Sequence, residues 1–174
     1  MKKNYIYVPK GDYKDVRYVL GEKGNNPVIC IGINPSTATP EEPDNTIKSV
    51  KRIAKYNGYD GWIMLNVYPL RETDPKKLPK DFLEEKIEIN KKEVEKIIKD
   101  YSDADIWCAW GTAIEKREYL KSALKEMLTI LAKGNNNNFK CIACTKNGHP
   151  RHPLYAKTET KLQSFDIKNY LYIK

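Results

Sequence analysis

A chain of 174 residues, 40% hydrophobic and without low-complexity blocks, fits one globular domain and excludes extended disorder. No apolar run approaches bilayer length, and no secretory apolar region follows Met1-Lys2-Lys3-Asn4-Tyr5. The expectation is a single cytoplasmic domain, 1–174, with no membrane partner. The formal charge of +8 and pI near 9.1 favour an anionic partner, a nucleotide or nucleic acid. Lysine, however, mixes with glutamate from Lys80 to Lys99, the pattern of a solvated helix face. Arginine is scarce, and its planar fork suits phosphate. Arg71 and Arg151 adjoin the motifs described below, which singles them out as phosphate-binding candidates.

In chain order, Tyr5 to Val8 and Val16 to Leu20 read as two short strands around the Pro9-Lys10-Gly11-Asp12 turn. Pro27 to Ile33 is a continuous apolar run, as expected of a strand covered on both faces. A polar loop from Asn34 leads into a helix from Thr46 to Tyr56, capped by Asp44 or Asn45. Trp62 to Asn66 is a second buried strand, followed by a long proline-containing loop to Pro79. Asp81 to Tyr101 is an amphipathic helix, with Ile87, Val94, Ile97 and Ile98 at helical spacing. Ala104 to Trp110 is a third buried strand ending at Gly111, and Thr112 caps a helix running to Leu131. Asn135 to Asn138 is a turn, and Phe139 to Cys144 a fourth strand. The tail from Thr158 holds a short helix and an edge strand at Tyr170 to Ile173.

This alternation predicts an α/β fold, a three-layer αβα sandwich around a central, mostly parallel four-stranded sheet. Ligands bind such sheets at the carboxyl ends of the strands. Polar residues gather there: Asn34 and Ser36 after the first core strand, Asn66 after the second, Gly111 and Thr112 after the third, and His149 and His152 after the fourth. Both histidines stand in Gly148-His149-Pro150-Arg151-His152-Pro153-Leu154-Tyr155, where two prolines restrict the backbone. Histidine changes charge near neutral pH, so the loop reads as a site. Trp62, Trp107 and Trp110 read as core. Cys141-x-x-Cys144 with His149 has zinc-ligand spacing but no second pair, so neither metal nor cofactor is expected. Nothing in the sequence fixes an oligomeric state.

Gly32-Ile33-Asn34-Pro35-Ser36, Asp44-Asn45-Thr46-Ile47, Asn66 with Arg71-Glu72-Thr73-Asp74-Pro75, Ala109-Trp110-Gly111 and the His149-to-Tyr155 segment occur in that order. Together they are similar to the uncharacterised domain-of-unknown-function 1643 family, whose motifs resemble those of the uracil-DNA glycosylase superfamily. The resemblance implies a uracil-DNA glycosylase-like fold. It also implies a cleft that takes a nucleobase extruded from the stack, or a nucleotide, and hydrolyses an N-glycosidic bond. By that resemblance Asn34 positions water, Asn66 reads the base edge, and His149 or His152 steadies the departing base. Gly32, Ser36, Arg71, Arg151 and Tyr155 are then substrate-binding; the aromatic that stacks the base has no clear counterpart in the motifs, and Tyr68 and Tyr155 are the candidates for it. Two departures stand out. Asn34 replaces a carboxylate and can only orient water, and Arg151 replaces a serine. A cleft that binds or sequesters a nucleotide without turnover is therefore the alternative, and a DNA-binding accessory protein a third reading.

Overall fold

Every residue of the two runs Pro27–Gly32 and Gly61–Asn66 is buried, which is why neither shows the alternation of a half-exposed strand. The computed structural model describes residues 4–8, 15–81, 83–134 and 138–173. Among them the order is β1 (Tyr5–Val8), β2 (Val19–Glu22), β3 (Pro27–Gly32), α1 (Asn45–Tyr56), β4 (Gly61–Asn66) and α2 (Glu84–Asp100). There follow β5 (Ile106–Cys108), α3 (Glu118–Gly134), β6 (Phe139–Cys141), β7 (Gln163–Ser164) and α4 (Ile167–Ile173). No described helix is long and apolar enough to cross a membrane.

The strands form one sheet in the order β1-β2-β4-β3-β5-β6-β7. β4, β3, β5 and β6 are mutually parallel, while β1, β2 and β7 join antiparallel. The expected four-stranded sheet is thus corrected to a seven-stranded mixed one. The N-terminal hairpin continues the sheet past β4, and β7, two exposed residues with no periodicity to betray it, closes the other edge. Successive strand residues point to opposite faces. Ile29, Ile31, Ile63, Leu65 and Ile106 pack with α2, α3 and α4. Val28, Cys30, Trp62, Met64 and Trp107 pack with Ile47, Val50 and Ile53 of α1.

Several boundaries move. Val16 bridges Leu70 instead of opening β2, and the Pro9–Asp12 turn lies outside the described residues, as does most of the 135–138 turn. Thr112 does not cap α3: Gly111–Lys116 is a 3-10 turn, and the α-helix starts two residues later at Glu118. Tyr170 belongs to α4 and not to an edge strand. Asp166 accepts from the Asn169 amide (3.0 Å), and the Tyr170 ring buries against Trp110 (centroids 5.6 Å). Asp44 caps α1 as expected, its carboxylate accepting from the Ile47 amide at 2.9 Å.

What positions a site is the winding. The chain leaves β3 for β4 on one side, then recrosses to β5 on the other. β3 and β5 therefore diverge in their outgoing connections, and the crevice outside their carboxyl ends is where open α/β sheets receive ligands.

Candidate functional site

That crevice is a cleft of about 540 Å³. Its walls are the end of β3 (Gly32, Ile33, Asn34), the first turn of α1 (Asn45, Thr46, Ile47), Glu72 and Thr73, the Trp110–Ala113 segment after β5, and His152, Leu154 and Tyr155. Three backbone ties bring these loops together. Gly111 N–H donates to Pro150 O (2.9 Å), Glu72 N–H to Pro35 O (2.8 Å), and Arg151 N–H to Ala143 O (2.8 Å). Gly111 has φ +60°, a conformation glycine adopts freely, so the chain can turn under His152.

Asn34 stands in the cleft wall. Its Nδ2 donates to Glu72 O (2.6 Å) and Pro35 O (3.1 Å), which fixes the amide orientation and leaves Oδ1 as the remaining acceptor. Ser36 also lines the cleft, 3.4 Å from the Thr73 hydroxyl. Gly32 leaves room at the cleft floor: a Cβ there would stand 2.5 Å from Met64 Cε, the movable end of that side chain, and 3.1 Å from Asn66 Oδ1. Asn66, paired in register with Gly32, lies behind Gly32 and Met64, which themselves face the cleft. It is fully buried, and neither Oδ1 nor Nδ2 has a hydrogen-bond partner. Buried amides are nearly always paired, because an unpaired one costs about 1–3 kcal/mol.

The two histidines separate. His152 faces the cleft, where its Nδ1 accepts from the Leu154 amide (3.2 Å), placing the neutral ring's proton on Nε2. Although His152 is exposed overall, the surrounding protein lowers its pKa below the ordinary imidazole value, with Asp44 pulling the other way. The ring is thus a neutral N–H donor at pH 7. His149 does not reach the cleft. It is 1% exposed, its Nδ1 meeting Tyr170 Oη (2.8 Å) and its Nε2 meeting Glu115 Oε1 (2.7 Å). His149 is instead buried beside α3 and α4, with Ile114, Leu124 and Tyr170 around it.

The arginines are redistributed too. Arg151 is exposed and does not line the cleft, and neither does Arg71. Arg71 braces the adjoining loop, with Nη1 donating to Ser36 O (2.6 Å) and Ala38 O (3.3 Å) and Nη2 to Tyr7 Oη (2.8 Å). The guanidinium in the cleft belongs to Arg17, only 2% exposed. Burial holds its pKa down to about 10, helped by neighbouring Arg71 and opposed by Asp44. A charge inside the apolar run Val16-Arg17-Tyr18-Val19-Leu20 was the sequence signal for it. Asp44 and Glu72 add two carboxylates to the walls; their caps and turns disguised them as local structure.

Tyr155 stands at the mouth, 91% exposed with φ +68°. An exposed large aromatic in left-handed backbone is strained, and such strain marks functional positions. Tyr68, the other stacking candidate, is core. Among the described residues no group of three or more His, Cys, Asp or Glu could hold a metal ion.

No curated protein and no solved structure matches the chain. Residues 17–154 match the family described as "Protein of unknown function (DUF1643)", a span that runs from the cleft arginine to Leu154 beside the cleft histidine. The chain belongs to the DUF1643 family.

Proposed function

We propose that the cleft receives a nucleobase, carried on a free nucleotide or extruded from a strand, and hydrolyses its N-glycosidic bond. The observation that carries this reading is Asn66. An amide with both polar atoms unpaired offers one acceptor and one donor side by side, the complement of an imide or amide base edge. Met64 Cε lies over the gap at Gly32, and a thioether side chain rotates aside readily when a ring arrives. Tyr155 supplies a face for stacking at the mouth, worth about 1–3 kcal/mol per base. His152 Nε2–H is a neutral donor toward negative charge developing on the leaving base. Asn34 Oδ1 orients a water by accepting a hydrogen bond from it. The resemblance to uracil-DNA glycosylases assigns the same roles to Asn34, Asn66 and one histidine of the loop.

One observation favours binding without turnover. Residue 34 is an amide with its NH₂ spent on two carbonyls, so it orients water without deprotonating it. The deciding assay is release of free base from uracil-containing single-stranded and duplex DNA, and from nucleotides. Hydrolysis predicts measurable release by the wild type and a loss of about two to three orders of magnitude in His152→Ala. Wild-type protein that binds a nucleotide at micromolar concentration yet releases nothing replaces hydrolysis with sequestration. If it neither binds nor releases, both readings fall.

A further inference from the structure

Arg17 and Arg71 meet on a single carbonyl. Arg17 Nη1 donates to Ala38 O (3.1 Å) and Arg71 Nη1 donates to the same oxygen (3.3 Å). Two guanidinium charges are thus held side by side at the base of the Ser36–Ala38 loop. Arg17 is 2% exposed, lines the cleft, and its Nε–H is buried without a partner. Among the described residues neither arginine forms an ion pair with a carboxylate. Asp44 and Glu72 share the cleft but are engaged locally, Asp44 by the Ile47 amide and Glu72 by the Asp74 amide. The Asp44 carboxylate acts on Arg17 through space and offsets part of the cost, but burying a charge without an ion-pair partner is expensive, and two like charges together more so.

The second contribution comes from α1, a twelve-residue helix whose Asn45 and Thr46 line the same cleft. First-turn amides have no partner within the helix, and the helix dipole adds positive potential there. Asp44 satisfies the Ile47 amide, leaving those of Asn45 and Thr46 at the opening. Ser36 and Thr46 line the same cleft as Arg17 and carry hydroxyl donors.

We propose that this corner of the cleft is a phosphate subsite. Arg17 is its direct ligand, α1's first turn supplies the amides, and Arg71 sets the loop and the field from behind. The inference rests on the nucleobase reading for what the phosphate is attached to: a free nucleotide or a polynucleotide backbone. Both present the same tetrahedral anion, which suits the forked geometry of arginine.

The test titrates wild type, Arg17→Gln and Arg17→Lys with deoxyuridine, dUMP, inorganic phosphate and an uracil-containing oligonucleotide. Wild type binds dUMP about tenfold or more tighter than deoxyuridine, the scale of a charge-assisted pair of hydrogen bonds. Arg17→Gln abolishes that preference, and Arg17→Lys restores only part of it. Arg17-dependent binding that is tighter for the oligonucleotide assigns a backbone phosphate, and tighter for dUMP a free nucleotide; either upholds the subsite. Equal wild-type affinity for dUMP and deoxyuridine overturns it. If neither pyrimidine ligand binds, the base reading fails by itself. Inorganic phosphate then decides the subsite, raising the thermal stability of wild type and not of Arg17→Gln, or overturning it by raising neither. Should Arg17→Gln not fold, broadening of the phosphate ³¹P resonance by wild type reads the subsite directly, and an unbroadened line overturns it.

Discussion

At Asn66 one buried side chain is left with both polar atoms unpaired. The strand end on which it sits is otherwise satisfied: its own carbonyl accepts from Asn90 Nδ2 at 2.9 Å, tying α2 to β4. Both polar atoms of the Asn66 side-chain amide are left without partners, in a position with no exposure, as is Asn90 Oδ1. A residue retained for folding alone would be apolar there. Asn66→Leu, which keeps the branching and heavy-atom count though it is bulkier, therefore stabilises the free protein by about 1–3 kcal/mol. For a chain of this size each kcal/mol raises Tm by about 2–4 °C. The same substitution removes nucleobase binding. A scan showing the variant less stable than wild type would mean that the amide is satisfied in solution and has no ligand-reading role. Tyr155 makes the complementary case. It is a strained and exposed residue at the cleft mouth, and on the proposed function its ring is kept for stacking.

At the scale of elements, a linear hydrogen-bond chain joins four parts of the fold. Trp110 Nε1–H donates to Tyr170 Oη (3.0 Å), Tyr170 O–H donates to His149 Nδ1, and His149 Nε2–H donates to the Glu115 carboxylate. Burial pushes the Tyr170 pKa up to about 12, so the phenol keeps its proton as the central donor. The chain pins α4 and the 3-10 turn to the start of the loop that carries His152. Tyr170→Phe leaves the Trp110 N–H and His149 Nδ1 buried and unpaired, and costs about 2–4 kcal/mol. It lowers the urea midpoint at unchanged slope. Tyr155→Phe, at an exposed position, stays within about 0.5 kcal/mol of wild type. A Tyr170→Phe midpoint equal to wild type would show that the chain contributes nothing. This chain also explains why the paired histidines could not be told apart from sequence. Their spacing put both on one loop, but which one meets the cleft depends on Tyr170, a residue 21 positions away in a segment read as strand.

For the whole molecule, the winding was legible and the edges were not. Long apolar runs announced β3 and β4, and the order of polar loops placed the cleft, because period and burial are local properties of sequence. β7 and the 3-10 turn leave no periodic trace, and Arg17 is held at the cleft by the Val16–Leu70 bridge and by its amide's bond to Pro69 O (2.9 Å). Charge is legible in number but not in arrangement. Lysines spend themselves on nearby carboxylates: Lys51 on Glu22 (2.7 Å), Lys91 on Glu126 (3.0 Å) and Lys96 on Glu93 (2.5 Å). Such surface pairs add little stability, but they leave the +8 dispersed instead of gathered along one groove. On the proposed phosphate subsite, the ligand engages one phosphate and not a long backbone. Salt measures the difference. Each neutralised phosphate contributes about −0.9 to the slope of log K against log salt. Binding through the Arg17 corner then weakens by only about fourfold between roughly 50 and 200 mM salt. A protein that lays its lysines along a duplex loses about three to five orders of magnitude over the same range. Affinity for a uracil-containing oligonucleotide, followed across that range, should show the shallow dependence. A steep one would make backbone binding the main function, with the cleft incidental to it.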